Sequence, residues 1–89
     1  MTRSEVTVGW DQGLHLRRAA QLVRLAQGFH SRIFFHLGSR MADARSVISL
    51  VLLSAGLGTA LVVEAVGADE SEAVRAIQEF FRDLSLGDG

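Results

Sequence analysis

The chain has 89 residues, enough for one domain spanning residues 1–89 with a modest core. A formal net charge of -1 and a hydrophobic content of 48% give no electrostatic case for nucleic acid or an anionic membrane as partner. The absence of cysteine excludes disulfides and thiolate metal sites, and no apolar segment follows Arg3 as a secretory signal requires, so a cytoplasmic protein is expected.

Residues 4–9 alternate polar and apolar, with Val6 and Val8 on one side, and predict a half-buried strand. Trp10-Asp11-Gln12-Gly13 supplies a turn. Over residues 16–27, Leu16, Ala19, Ala20, Leu22, Val23 and Ala26 recur at helical spacing, while Arg17, Arg18, Gln21, Arg24 and Gln27 fall largely off that stripe. Gly28 ends this helix. Residues 29–37 carry Ile33, Phe34 and Phe35 among polar neighbours and predict a second strand, which Gly38-Ser39 turns into a return strand at 40–44. Ser46 caps a second helix over 47–54, apolar nearly all round, with Gly56 and Gly58 as terminators. Valine-rich residues 59–66 form the last strand. Asp69 then caps a third helix, with Glu72 completing a capping box and Val74, Ile77, Phe80, Phe81 and Leu84 turned to the core. Residues 86–89 are expected to fray.

The twenty residues 47–66 contain a single charge, Glu64, and by length alone could cross a bilayer. Gly56-Leu57-Gly58 interrupts the run, and the β-branched alternation that follows reads as helix, turn and strand, so no membrane insertion is expected. The order β-α-β-β-α-β-α is best satisfied by an α+β open-faced two-layer sandwich. Four antiparallel strands would be covered on one face by three helices.

One stretch combines groups suited to chemistry. Gly13-Leu14-His15-Leu16-Arg17-Arg18-Ala19-Ala20 places an imidazole and two guanidiniums at the mouth of the first helix. A helix start leaves backbone N–H groups unpaired and carries the positive end of the macrodipole, which makes it an anion seat. The same positive surroundings disfavour protonation of the ring and leave a lone pair for attack. His15 could equally be a plain cap, Arg17 a solvated helix residue and Ser46 a cap and nothing more. His30 and His36 have no ligand-spaced partners, the three histidines do not make a metal site, and no glycine-rich nucleotide loop or catalytic Ser/His/Asp set is present. No metal or cofactor is expected.

Gly13-Leu14-His15-x-Arg17-x-Ala19-Ala20 resembles the signature of HPr, the histidine-containing phosphocarrier family of the bacterial sugar phosphotransferase system, which runs Gly-Ile/Leu-His-Ala-Arg-Pro-Ala. Ser46-Val47-Ile48 matches the family's regulatory serine, and Gly67-Ala68-Asp69-Glu70 its third landmark, so the resemblance covers essentially the whole chain. It implies a carrier, not an enzyme: a monomer that accepts a phosphoryl group on His15 from phosphorylated enzyme I and passes it to a sugar-specific enzyme IIA. Arg17 would hold the phosphoryl oxygens, and Gly13 would let the partner approach. Leu16, Ala20, Val47, Ile48 and Val51 would form an apolar patch that docks partners, with Val47 and Ile48 exposed. A dedicated kinase acting on Ser46 and a transcriptional regulator are further candidate partners.

Two positions depart from the pattern. Leu16 stands where a small residue is usual, and Arg18 where the family has proline. A cation at residue 18 in place of a ring that fixes φ could tighten anion binding or slow phosphoryl release. It also keeps open a regulatory binding module controlled through Ser46, with His15 vestigial. A scaffold without phosphoryl chemistry is the reading that a buried His15 would favour.

Overall fold

A computed structural model of the chain describes residues 1–82. The elements run β1 (Thr2–Thr7), α1 (Leu16–Ala26), β2 (Arg32–Leu37), β3 (Arg40–Asp43), α2 (Val47–Leu52), β4 (Ala60–Val66) and α3 (Glu70–Arg82). The strands make one antiparallel sheet in the order β1-β4-β2-β3, with Val6 opposite Leu61, Phe35 opposite Val63, and Ala42 opposite Phe35. This is the sandwich that the sequence predicts.

Alternation along the strands decides which side is covered. Val6, Ile33, Phe35, Ala42, Leu61, Val63 and Ala65 are buried. They meet Leu22 of α1, Leu50 of α2 and Val74, Ile77 and Phe81 of α3 in one core. The opposite face is polar in part: Glu64 on β4 accepts from His36 on β2 at 2.7 Å and lies 4.0 Å from Arg3 on β1. Trp10, read from the sequence as a turn residue, is core. Its ring packs edge-on against Phe80 at 5.4 Å and tilted against Phe81 at 5.1 Å, and Phe81 continues to Phe35 at 5.8 Å. An exposed indole would forfeit the burial of its large apolar surface.

Three local expectations are corrected. Strand β2 starts at Arg32, not Phe29, because residues 30 and 31 are taken by another interaction. The Asp69 carboxylate does not close a capping box. It accepts the N–H groups of His30 and Ser31, each at 2.9 Å, and the Ser31 hydroxyl, tying the α1–β2 loop to the head of α3. Ser31 is buried, so its backbone donor needs this partner. Helix α2 stops at Leu52, before the glycines: Ser54 already has φ 57, a left-handed conformation unusual outside glycine. Leu84 and residues 86–89 lie outside the described residues.

Two outcomes follow. Replacing Ser54 with Gly relieves the left-handed strain and should raise unfolding stability by about 0.5–1 kcal/mol, read as a rise of a few degrees in Tm. Glu70 is held down to about 2 from its ordinary 4.5 by the Met1 ammonium, the Thr2 hydroxyl and the Gly67 N–H. A carboxyl depressed in the folded state stabilises fully above pH 4.5 and loses that contribution as pH falls towards 2. Chemical denaturation across that window should therefore show stability dropping with acid, and Glu70→Gln should flatten the drop.

Candidate functional site

The loop that carries His15 is held from below by backbone. Leu14 donates its N–H to the Ala55 carbonyl at 2.9 Å, and Gly13 donates to the Trp10 carbonyl at 2.8 Å. Gly13 is buried with φ 72, and a Cβ there would come within 2.6 Å of the Ala55 oxygen and 2.9 Å of Gly56 Cα. The expectation that this glycine admits a partner is corrected: what it admits is the chain's own loop after α2.

His15 is the N-cap of α1, as its position before the apolar stripe implies. Its φ and ψ are -86° and -179°, its carbonyl accepts from Ala19 N–H at 2.9 Å, and its Nδ1 accepts from the Arg17 N–H at 3.3 Å. The ring does not stand wholly out in water. It is half-buried, and Nε2 is covered and without a hydrogen-bond partner among the described residues. A neutral ring that accepts through Nδ1 carries its proton on Nε2. The exposed, long bond at Nδ1 is weak by length. Together these leave one nitrogen with its lone pair at the helix mouth and the other sealed.

The surroundings of Nδ1 are donors. The first-turn N–H groups of α1 have no intrahelical acceptors, α1 has no acidic residue in that turn, and Arg17 is exposed beside it. Arg18 is not part of this seat, which corrects the expectation that it adds a cation there. Its side chain is only 4% exposed, its guanidinium lies 4.8 Å from the Trp10 ring centroid, and Nη1 donates to Gln21 Oε1 at 3.1 Å. Planar guanidinium on indole is a favourable pairing that water exclusion strengthens.

Helix α2 lies beside α1. Ser46 is its N-cap, half-buried, with Oγ accepting from the Ser49 N–H at 3.1 Å. Of the apolar residues singled out, Leu16 and Ile48 are 62% and 65% exposed. Ala20, Val47 and Val51 are half-buried, and both valines pack on the core, so Val47 is not the exposed residue expected. Two more belong with the exposed set: Leu52, 68% exposed and one turn beyond Ile48, and Leu57 in the following loop at 60%. The signal for Leu52 is a helix too apolar for its length to be covered on every side; Leu57, in a loop, has no such signal.

The family model described as "PTS HPr component phosphorylation site" matches residues 2–83. The chain is 35% identical over 77 residues to the phosphocarrier protein HPr of Cupriavidus necator, covering 86% of each. It is 39% identical over 74 residues to that of Haemophilus influenzae, covering 83% of this chain and 87% of the other. A crystal structure of HPr-C-His from Thermoanaerobacter tengcongensis superposes with a TM-score of 0.91 at 27% identity, over 100% of this chain and 99% of that one.

The geometry makes Gly13 sensitive. Gly13→Ala should cost about 1–3 kcal/mol through backbone strain and the clash with Ala55, measured by denaturant unfolding. Ile48→Glu, at a position in solvent, should change stability by less than about 0.5 kcal/mol.

Proposed function

The chain belongs to the HPr family of phosphocarrier proteins, and on that premise we propose that it accepts a phosphoryl group on Nδ1 of His15 from a phosphorylated enzyme I and delivers it to a sugar-specific enzyme IIA. The observation that carries this reading is the bond from the Arg17 N–H to His15 Nδ1, which marks the nitrogen whose lone pair lies among unpaired donors. The other nitrogen keeps its proton under cover.

The transfer needs no proton movement on this chain. The donor's P–N bond breaks as the Nδ1–P bond forms, in line, and Nε2 keeps its proton throughout. The passing phosphoryl group is loosely bound to both nitrogens, with charge spread over three oxygens, so positioned donors do most of the work. The Arg17 N–H exchanges its weak bond to Nδ1 for a phosphoryl oxygen. The exposed Arg17 guanidinium then supplies a charge-assisted bond to the same group. The chain is a substrate of its partners more than a catalyst, and a cytoplasmic setting suits that role.

Docking falls to the exposed apolar set, Leu16, Ile48 and Leu52, flanked by Arg17. A carrier must leave each partner quickly, and a small apolar patch with one cationic neighbour gives brief, steered binding to an acidic face. Ser46 sits at the head of that patch, where an added phosphate would repel the same acidic face without unfolding α2.

Incubation with enzyme I and phosphoenolpyruvate should add one phosphoryl mass that survives base and is lost in acid. His15→Ala should abolish the adduct, and Arg17→Ala should slow its formation by about tenfold or more. An adduct that persists in His15→Ala, or none under conditions that load an ordinary HPr, contradicts the reading. Ile48→Glu should raise the KM of enzyme I for this chain with little change in kcat, measured in the same assay.

A further inference from the structure

Arg18 occupies the third position of α1, on the side turned to the core, yet a core position on an amphipathic helix is ordinarily apolar. Burying a guanidinium is costly unless its surroundings compensate. Here its Cζ lies over the Trp10 ring, 4.8 Å from the centroid, and Gln21 accepts from its Nη1 at 3.1 Å. Trp10 is itself immobilised, 2% exposed and wedged on Phe80 and Phe81 of α3.

The same tryptophan holds the loop from its other end. Its carbonyl accepts from the Gly13 N–H at 2.8 Å, closing the turn that leads to His15. Residues 11–17 therefore run between two attachments to one residue: the Trp10 carbonyl before His15 and the Trp10 ring, through Arg18, after it. The relatives' signature has proline at this position, a residue that restrains the first turn covalently by fixing φ. This chain has no proline at all. The stacked guanidinium restrains the same turn by packing.

We infer that Arg18 is a positioning residue for the phosphoryl site: stacked on Trp10, it fixes the first turn of α1 so that the Arg17 N–H and His15 Nδ1 stay in register. It acts through Trp10 and the helix backbone and touches no phosphoryl oxygen. The inference rests on the phosphocarrier reading for its consequence in rate, and on geometry alone for its consequence in structure.

Three readouts on one set of proteins test it. The chain has one tryptophan and no tyrosine, so its emission reports this stack directly. Nitrogen NMR reads the Arg17 amide and the two His15 ring nitrogens, and a phosphorylation assay with enzyme I and phosphoenolpyruvate separates kcat from KM. Arg18→Met keeps length and removes the flat cation. It should alter Trp10 emission, shift or broaden the Arg17 and His15 signals, and lower kcat by about tenfold with KM within about twofold of the parent. Arg18→Lys, which keeps the charge without the plane, should fall between Met and the parent.

If Arg18→Met changes the emission while the Arg17 and His15 signals and kcat match the parent, Arg18 merely packs and the inference fails. Should Arg18→Met not fold, Gln21→Ala loosens the guanidinium without removing it. Smaller displacements of the same signals then support the inference, and unmoved signals overturn it. If the unmodified chain takes no phosphoryl group, the phosphocarrier reading fails by itself, and the Arg17 and His15 signals still decide whether Arg18 positions the turn.

Discussion

The structure depends on a crossing of backbone over backbone, where residues 13 and 14 lie on the loop that follows α2. The Leu14 N–H meets the Ala55 carbonyl, Gly13 has no room for a side chain, and Val8 extends the contact by exchanging hydrogen bonds with Gly58 and Thr59 at 2.7 and 2.9 Å. These contacts decide where α1 begins and so make His15 its cap. Because they involve main chain, the side chains above them are free to serve other ends. Leu16 and Arg17 project into solvent from a base that their own identities do not determine.

How much of this was legible in the sequence depended on the distance over which each residue acts. The stripes of α1 and α3 and the alternation in β4 are local patterns of burial, and they led directly to the elements and to the four-stranded sheet. Ser46 before an apolar run is likewise a local signal, and its hydroxyl does cap α2. Arg18 carries no such signal. On a helical wheel it is one arginine among three, and only the folded chain brings the Trp10 ring beneath it. Asp69 carries no such signal either: a carboxylate before a helix usually serves that helix, whereas here His30 and the buried Ser31, distant in sequence, compete for it and win, His30 with one hydrogen bond and Ser31 with two. Ser54 shows a different limit, since a left-handed serine is set by the loop's need to reach Gly13 and not by serine's own preference.

A histidine at a helix start could be inferred from spacing, but which ring nitrogen faces the donors could not. That distinction belongs to a side-chain rotation and to the covering of Nε2, both products of tertiary packing. It matters because the two nitrogens have different fates in the proposed chemistry: one bears the phosphoryl group, the other keeps a proton. The long bond at Nδ1 suits a temporary site, held in place at rest and given up without much loss when a phosphoryl oxygen arrives. Leu16, Ile48 and Leu52 are exposed, and in the proposed docking role they would have the same character, with contact area sufficient for an encounter and insufficient for a permanent complex.

The central claim is that the lone pair at the mouth of α1 belongs to Nδ1 of His15. A long-range proton–nitrogen correlation spectrum of the chain, labelled with nitrogen-15 in histidine and recorded before and after loading by enzyme I, tests this most directly. The account predicts a protonated Nε2 before loading, and after it a phosphorus coupling on Nδ1 with Nε2 still protonated. A coupling on Nε2, or on a ring nitrogen of His30 or His36, would contradict it.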